Sequence, residues 1–207
     1  MTRLITALLL GAAVSAQAQA ADLATPIQPS VDTAQQRQSL RTLMTCVAKS
    51  RPNWARQLLA QPYLGEEQTR TAGEALSGKD RCIMKDETEM TFRTSSMVSN
   101  LAEYFLGAEL PNADLERLSK SLNTIAPLNS SEDFALCVAA RDPASARAIA
   151  LSEPGGNDEQ QAADKLAAQV QPCVIKGEQP TVDLQSLRGL MSIALYRAMT
   201  NGAVAQN

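Results

Sequence analysis

Cys46-Val47-Ala48-Lys49-Ser50-Arg51-Pro52-Asn53-Trp54-Ala55-Arg56 and Cys137-Val138-Ala139-Ala140-Arg141-Asp142-Pro143-Ala144-Ser145-Ala146-Arg147 are one stretch written twice, 91 residues apart. The Cys-Val-Ala run, the proline and the Ala-Arg pair recur in register. Outward from them Gly65 falls on Gly156, Ala72 on Ala163, Cys82 on Cys173, and Lys85 and Glu87 on Lys176 and Glu178. One inserted residue later, Leu101-Ala102 and Tyr104 meet Ile193-Ala194 and Tyr196. Self-similarity at a fixed offset is the signature of a repeated architecture. The pattern predicts an all-α chain, a tandem duplication of a roughly four-helix unit. Each copy alone is short of apolar area, so the two are expected to pack as a single domain.

The four cysteines allow three pairings. Cys46 and Cys82 lie 36 residues apart, as do Cys137 and Cys173, so each copy is expected to close on itself with one disulfide. In the chain-entropy model a loop of that length is worth about 4 kcal/mol. A zinc site would call for close cysteine pairs, usually with histidine, and this chain has no histidine at all. No metal and no cofactor are expected.

Residues 1–20 read as an export signal. Arg3 gives the positive start, Leu4 to Val14 an uncharged apolar run, and Ala16-Gln17-Ala18-Gln19-Ala20 two overlapping cleavage patterns. Cleavage is expected after Ala20, with Ala18 the alternative, and leaves no membrane span. Without the signal, 18 Lys+Arg face 22 Asp+Glu, a net charge of −4. That balance, with no basic cluster, argues against nucleic acid and against anionic membranes.

The expected layout is a signal at 1–20, a flexible leader at 21–31, a first helical repeat at 32–108, a connector helix within 109–130, a second repeat at 131–200 and a flexible tail at 201–207. In the first copy, helices are expected from Asp32 to Lys49 with Leu40, Leu43, Met44 and Val47 inward, from Pro52 to Ala60, from Glu66 to Leu76, and from Phe92 to Leu106 with Val98, Leu101 and Phe105 inward. Gly107 would end the last of these. The second copy repeats the plan at 131–141, from Pro143, at 158–170 and at 183–200, with Ser130 and Asp133 as a capping box. Strand-like signals are confined to Met90-Thr91-Phe92 and Thr181-Val182.

No catalytic constellation stands out. The lack of histidine removes the usual base near neutral pH and every Ser-His-Asp or Cys-His arrangement. Carboxylates close in sequence, Glu66-Glu67 and Asp86-Glu87-Glu89, read as charged helix starts and loops. Arg56 and Arg147 occupy equivalent places and are expected to play structural parts. One asymmetry bears on recognition: Trp54 and Tyr63 belong to the first copy, where the second has Ser145 and Pro154. Trp54, Tyr63 and Arg56 therefore form the candidate binding surface, with Trp54 as anchor.

The run Cys137-Val138-Ala139-Ala140-Arg141-Asp142-Pro143 with Ala146-Arg147, then Cys173, Leu187-Arg188 and Ala194-Leu195-Tyr196-Arg197, resembles uncharacterised exported proteins of alphaproteobacteria. The first copy departs from it at Phe105, where the second has Arg197. The resemblance implies a periplasmic address and no catalytic residue. The expected function is that of a non-enzymatic periplasmic scaffold, monomer or weak dimer, that binds another protein. The alternative is a carrier with a pocket for a small apolar ligand between the copies, for which Met44, Met84, Met97 and Met191 would suit an adaptable lining.

Overall fold

The computed structural model describes residues 27, 32–75, 82, 93–107, 110–174 and 182–204, the side chains of 74–75 and 201–204 excepted. The expected export signal, nearly all of the expected leader, Met84, Asp86-Glu87-Glu89, Lys85, Lys176, Glu178, the strand-like Met90-Thr91-Phe92 with Thr181, and residues 205–207 lie outside the described residues. Every regular element among them is helical: α1 (Ala34–Ser50), α2 (Pro52–Ala60), α3 (Glu66–Ala75), α4 (Thr94–Leu106), α5 (Leu115–Thr124), α6 (Ser130–Arg141), α7 (Pro143–Leu151), α8 (Asn157–Val170) and α9 (Leu184–Val204). Both expected disulfides are present, Cys46–Cys82 and Cys137–Cys173, each with Cα atoms 5.7 Å apart.

Local chemistry explains the boundaries. Pro52 and Pro143 open α2 and α7, where a residue without an N–H loses no hydrogen bond and its fixed φ suits the first turn. Thr33, not Asp32, caps α1: its hydroxyl accepts from Gln36 N and the Gln36 side chain accepts from Thr33 N, a reciprocal box. Asn129 replaces the expected Ser130 at the start of α6, its side chain accepting from Glu132 N at 2.9 Å, which draws Ser130 into the first turn. Gly107 follows α4 in a right-handed conformation, so the helix ends without the left-handed glycine turn. Leu106 takes the buried place expected of Phe105, which is half-buried. The last helix runs on to Val204, past the expected end at 200.

Packing centres on two helices. α4 packs against α1, α2 and α3, α9 against α5, α6, α7 and α8, and α4 and α9 make the most extensive contact of all. One hydrophobic cluster draws on all nine helices, with Met44, Leu58, Met97, Leu101, Leu166, Leu187, Met191 and Leu195 fully enclosed. The close approach of α4 and α9 depends on Gly189, where a Cβ would collide with the Ser99 hydroxyl.

Two turns 91 residues apart share one unusual geometry. Leu64, before α3, has φ 57°, and Gly155, before α8, has φ 80°. Each donates its N–H to a side chain four residues on, Leu64 to Gln68 Oε1 and Gly155 to Glu159 Oε2, both at 2.7 Å. Gln68 and Glu159 are both buried.

Candidate functional site

The chemistry-bearing groups brought together by the fold are charged and buried. Glu159 is wholly enclosed. Its Oε1 accepts from Arg37 Nη1 at 2.7 Å and from Arg188 Nη1 at 3.1 Å, while Oε2 holds the Gly155 turn. Arg188 grips Glu103 with two parallel bonds, Nε to Oε1 at 2.7 Å and Nη2 to Oε2 at 2.8 Å. It also donates to the Ser152 hydroxyl and to the carbonyls of Ala150 and Ser152, at the end of α7. Ser192, one turn further along α9, adds a bond to Glu103 Oε1 at 3.3 Å. Arg37, Glu159, Arg188 and Glu103 thus form a charge-balanced chain that links α1, α8, α9 and α4.

A second buried pair does the equivalent work further along α9. Arg197 Nη2 bonds Glu132 Oε1 at 3.0 Å and Gln61 O at 2.6 Å, and Nη1 reaches Ala60 O at 3.2 Å. Those carbonyls close α2 as Ala150 and Ser152 close α7. Helix ends leave unpaired carbonyls on which a cation is favourable. Two arginines of one helix therefore supply the missing donors at the ends of α7 and α2, and a buried glutamate balances each.

Electrostatics follow from this enclosure. Burial alone would push the Arg188 guanidinium down, but Glu103 and Glu159 beside it hold it above its ordinary value. Burial raises the Tyr63 phenol, the Ser99 hydroxyl that hydrogen-bonds to it offsets part of that, and the Asp183 carboxylate adds to it. Burial also raises Tyr196, against the lowering effect of Arg56 and Arg197.

The three expected binding residues do not converge. Trp54 is half-buried against the core, with the Arg51 guanidinium 5.1 Å from its ring. Arg56 is exposed on α2 and lies 4.3 Å over the Phe105 ring, beside Tyr196. Tyr63 is only 3 % exposed and packs between Ser99 and Gly189, with its N–H on Glu132. Arg147, the counterpart of Arg56, donates to Ala113 O at 3.0 Å. Met44, Met97 and Met191 are enclosed in the core.

Two small cavities lie between α4 and the start of α9. One, of about 20 Å³, is lined by Arg37, Ser96, Asn100, Glu103 and Arg188. The other, of about 10 Å³, is lined by Tyr63, Arg93, Ser99, Asp183 and Ser186. Each is the size of roughly one water molecule. Among the described residues, no cluster of three or more Cys, Asp or Glu side chains is arranged to hold a metal, and no helix is long and apolar enough to cross a membrane. No protein-family model, curated protein or solved structure matches the chain.

Proposed function

We propose that the chain is a non-enzymatic, exported, periplasmic protein: a disulfide-closed helical scaffold whose task is to present a stable surface to another protein. The observation that carries this reading is the use of the buried charges. Arg37, Glu159, Arg188 and Glu103, with Arg197 and Glu132, are turned on one another and on the ends of α2 and α7. Catalytic groups face a cavity in which a substrate's reacting atom can sit, whereas the opening that Arg37, Glu103 and Arg188 border has room for about one water molecule. The two disulfides suit an oxidising compartment, since cytosolic proteins seldom keep them.

The same reading takes the chain as two copies of one unit packed as a single domain. Supporting it are the paired disulfides, the prolines that open α2 and α7, and the positive-φ turns at Leu64 and Gly155. The core cluster spans all nine helices, and α4 and α9 occupy corresponding places as hubs.

Native mass spectrometry of the protein purified from its exported compartment separates this reading from that of a small-ligand carrier. A bare chain, lacking residues 1–20 and four thiol hydrogens, is the expected result. A small molecule retained at one-to-one stoichiometry would replace the scaffold by the carrier.

A further inference from the structure

We propose that Leu64 and Leu128 together form a preset docking knob for a protein segment that carries an apolar side chain flanked by Lys or Arg. The proposal deepens the scaffold reading and rests on it. Among the described residues Leu64 is the non-glycine residue with positive φ, at 57°. L side chains resist that conformation because Cβ crowds the following carbonyl. The equivalent turn, at Gly155, uses the residue that adopts it without cost. Leu64 is no member of the core that would explain the leucine: it is 44 % exposed. A backbone outlier that places a large apolar side chain at the surface, outside the core, points to a use beyond the molecule.

Leu128, 53 % exposed, is the other large apolar side chain left open among the described residues. Scattered exposed leucines call for no explanation, but these two belong to one assembly. A single carboxylate holds both turns: Glu132 Oε1 accepts from Tyr63 N at 2.8 Å, and Oε2 accepts from Leu128 N at 3.1 Å. Asn129 Nδ2 donates back to Tyr63 O at 2.7 Å, and Arg197 clamps both Glu132 and Gln61 O. The knob is thus fixed before a partner arrives, which lowers the ordering cost of binding.

The charge around it selects the partner. Glu66 and Glu67 in the first turn of α3 and Asp133 in the first turn of α6 are exposed, whereas Arg197 is committed to Glu132. Even with Arg70 of α3 counted, the described charges that follow the two leucines closely in the chain are mostly acidic. A cationic rim on the partner complements them and speeds encounter. A second copy of the chain, or an anionic membrane, would bring like charge against them.

The test uses the full exported, oxidised protein and a fluorescein-labelled amphipathic peptide of Leu and Lys, with the same peptide carrying Glu for Lys as control. Saturable binding of the Lys peptide, read by anisotropy, is expected to weaken roughly tenfold or more in Leu64→Asn and in Leu128→Ser. Both variants should keep the parental Tm, since asparagine tolerates the left-handed conformation. Glu66→Gln/Glu67→Gln/Asp133→Asn should weaken it too, and the Glu peptide should not bind. Equal affinity in all variants, or no saturable binding, overturns the proposal. So does a wild-type dimer in sedimentation, or binding to vesicles rich in phosphatidylglycerol, that Leu64→Asn abolishes. None of these outcomes bears on whether a small molecule is retained in the native mass spectrum, so the knob can fail while the scaffold stands, and the reverse.

Discussion

Replacing Arg188 by methionine strips the buried network of its central cation at nearly constant volume. Arg188 makes six polar contacts, two with Glu103, one with Glu159, and three with Ser152 and Ala150. Glu159 would keep Arg37 and the Gly155 N–H. Glu103 would be left with the Ser192 hydroxyl as its side-chain partner, a buried carboxylate with no cation against it. Breaking a buried pair from one side costs about 3–5 kcal/mol, because the remaining charge is uncompensated. For a chain of this size that is roughly 6–20 °C in Tm. The double variant Arg188→Met/Glu103→Met removes both charges and is expected to recover more than half of the loss. A residue of about 1–2 kcal/mol should persist, because the carbonyls of Ala150 and Ser152 lose their donor. Urea unfolding of the oxidised protein, followed by far-ultraviolet circular dichroism with m unchanged, measures all three. A cost below about 1 kcal/mol for Arg188→Met, or a double variant no better than the single, would refute the claim that these charges hold the helices together.

Gly189→Ala should cost about 1–3 kcal/mol, because the new Cβ meets the Ser99 hydroxyl where α4 and α9 touch; Ser99→Ala in the same chain should return part of it in the same denaturation assay. Alkali should destabilise the protein through its phenols. Tyr63 and Tyr196 ionise at higher pH when folded than when unfolded, so their contribution is fully present below the unfolded pKa of about 10 and is lost as pH rises beyond it. The urea midpoint should fall between about pH 9 and 11, and less steeply in Tyr63→Phe.

Much of the frame was legible from spacing. The prolines locate α2 and α7, the apolar stripe of α1 recurs as buried Leu40, Leu43, Met44 and Val47, and the equal 36-residue spacings match the cysteine pairs. Caps were placed one residue off at Thr33 and Asn129, since neighbouring Asp, Thr, Asn and Ser all offer suitable oxygens and only the backbone decides among them.

The buried charges were not foreseen, although α9 carried a signal. From Leu184 to Met199 it carries apolar residues on every side, and such a helix is buried, so Arg188 and Arg197 within it have to find partners inside. Glu103 lies between buried Ala102 and half-buried Tyr104, with the same implication. What spacing could not reveal is the identity of those partners. Glu159 and Glu132 reach α9 from 29 and 65 residues away in the chain, and Arg37 reaches Glu159 from 122. Tyr63, read as part of a surface, is enclosed because α4 and α9 close over the turn that holds it. The next residue, Leu64, is the one left in solvent.

Differential scanning calorimetry of the disulfide-intact protein tests most directly whether α4 and α9 join the two disulfide-closed segments into one scaffold. One transition is expected, with the calorimetric and van't Hoff enthalpies equal. Two separable transitions, or a van't Hoff enthalpy well below the calorimetric one, would mean that the two segments unfold independently and that the buried arginines of α9 do not join them.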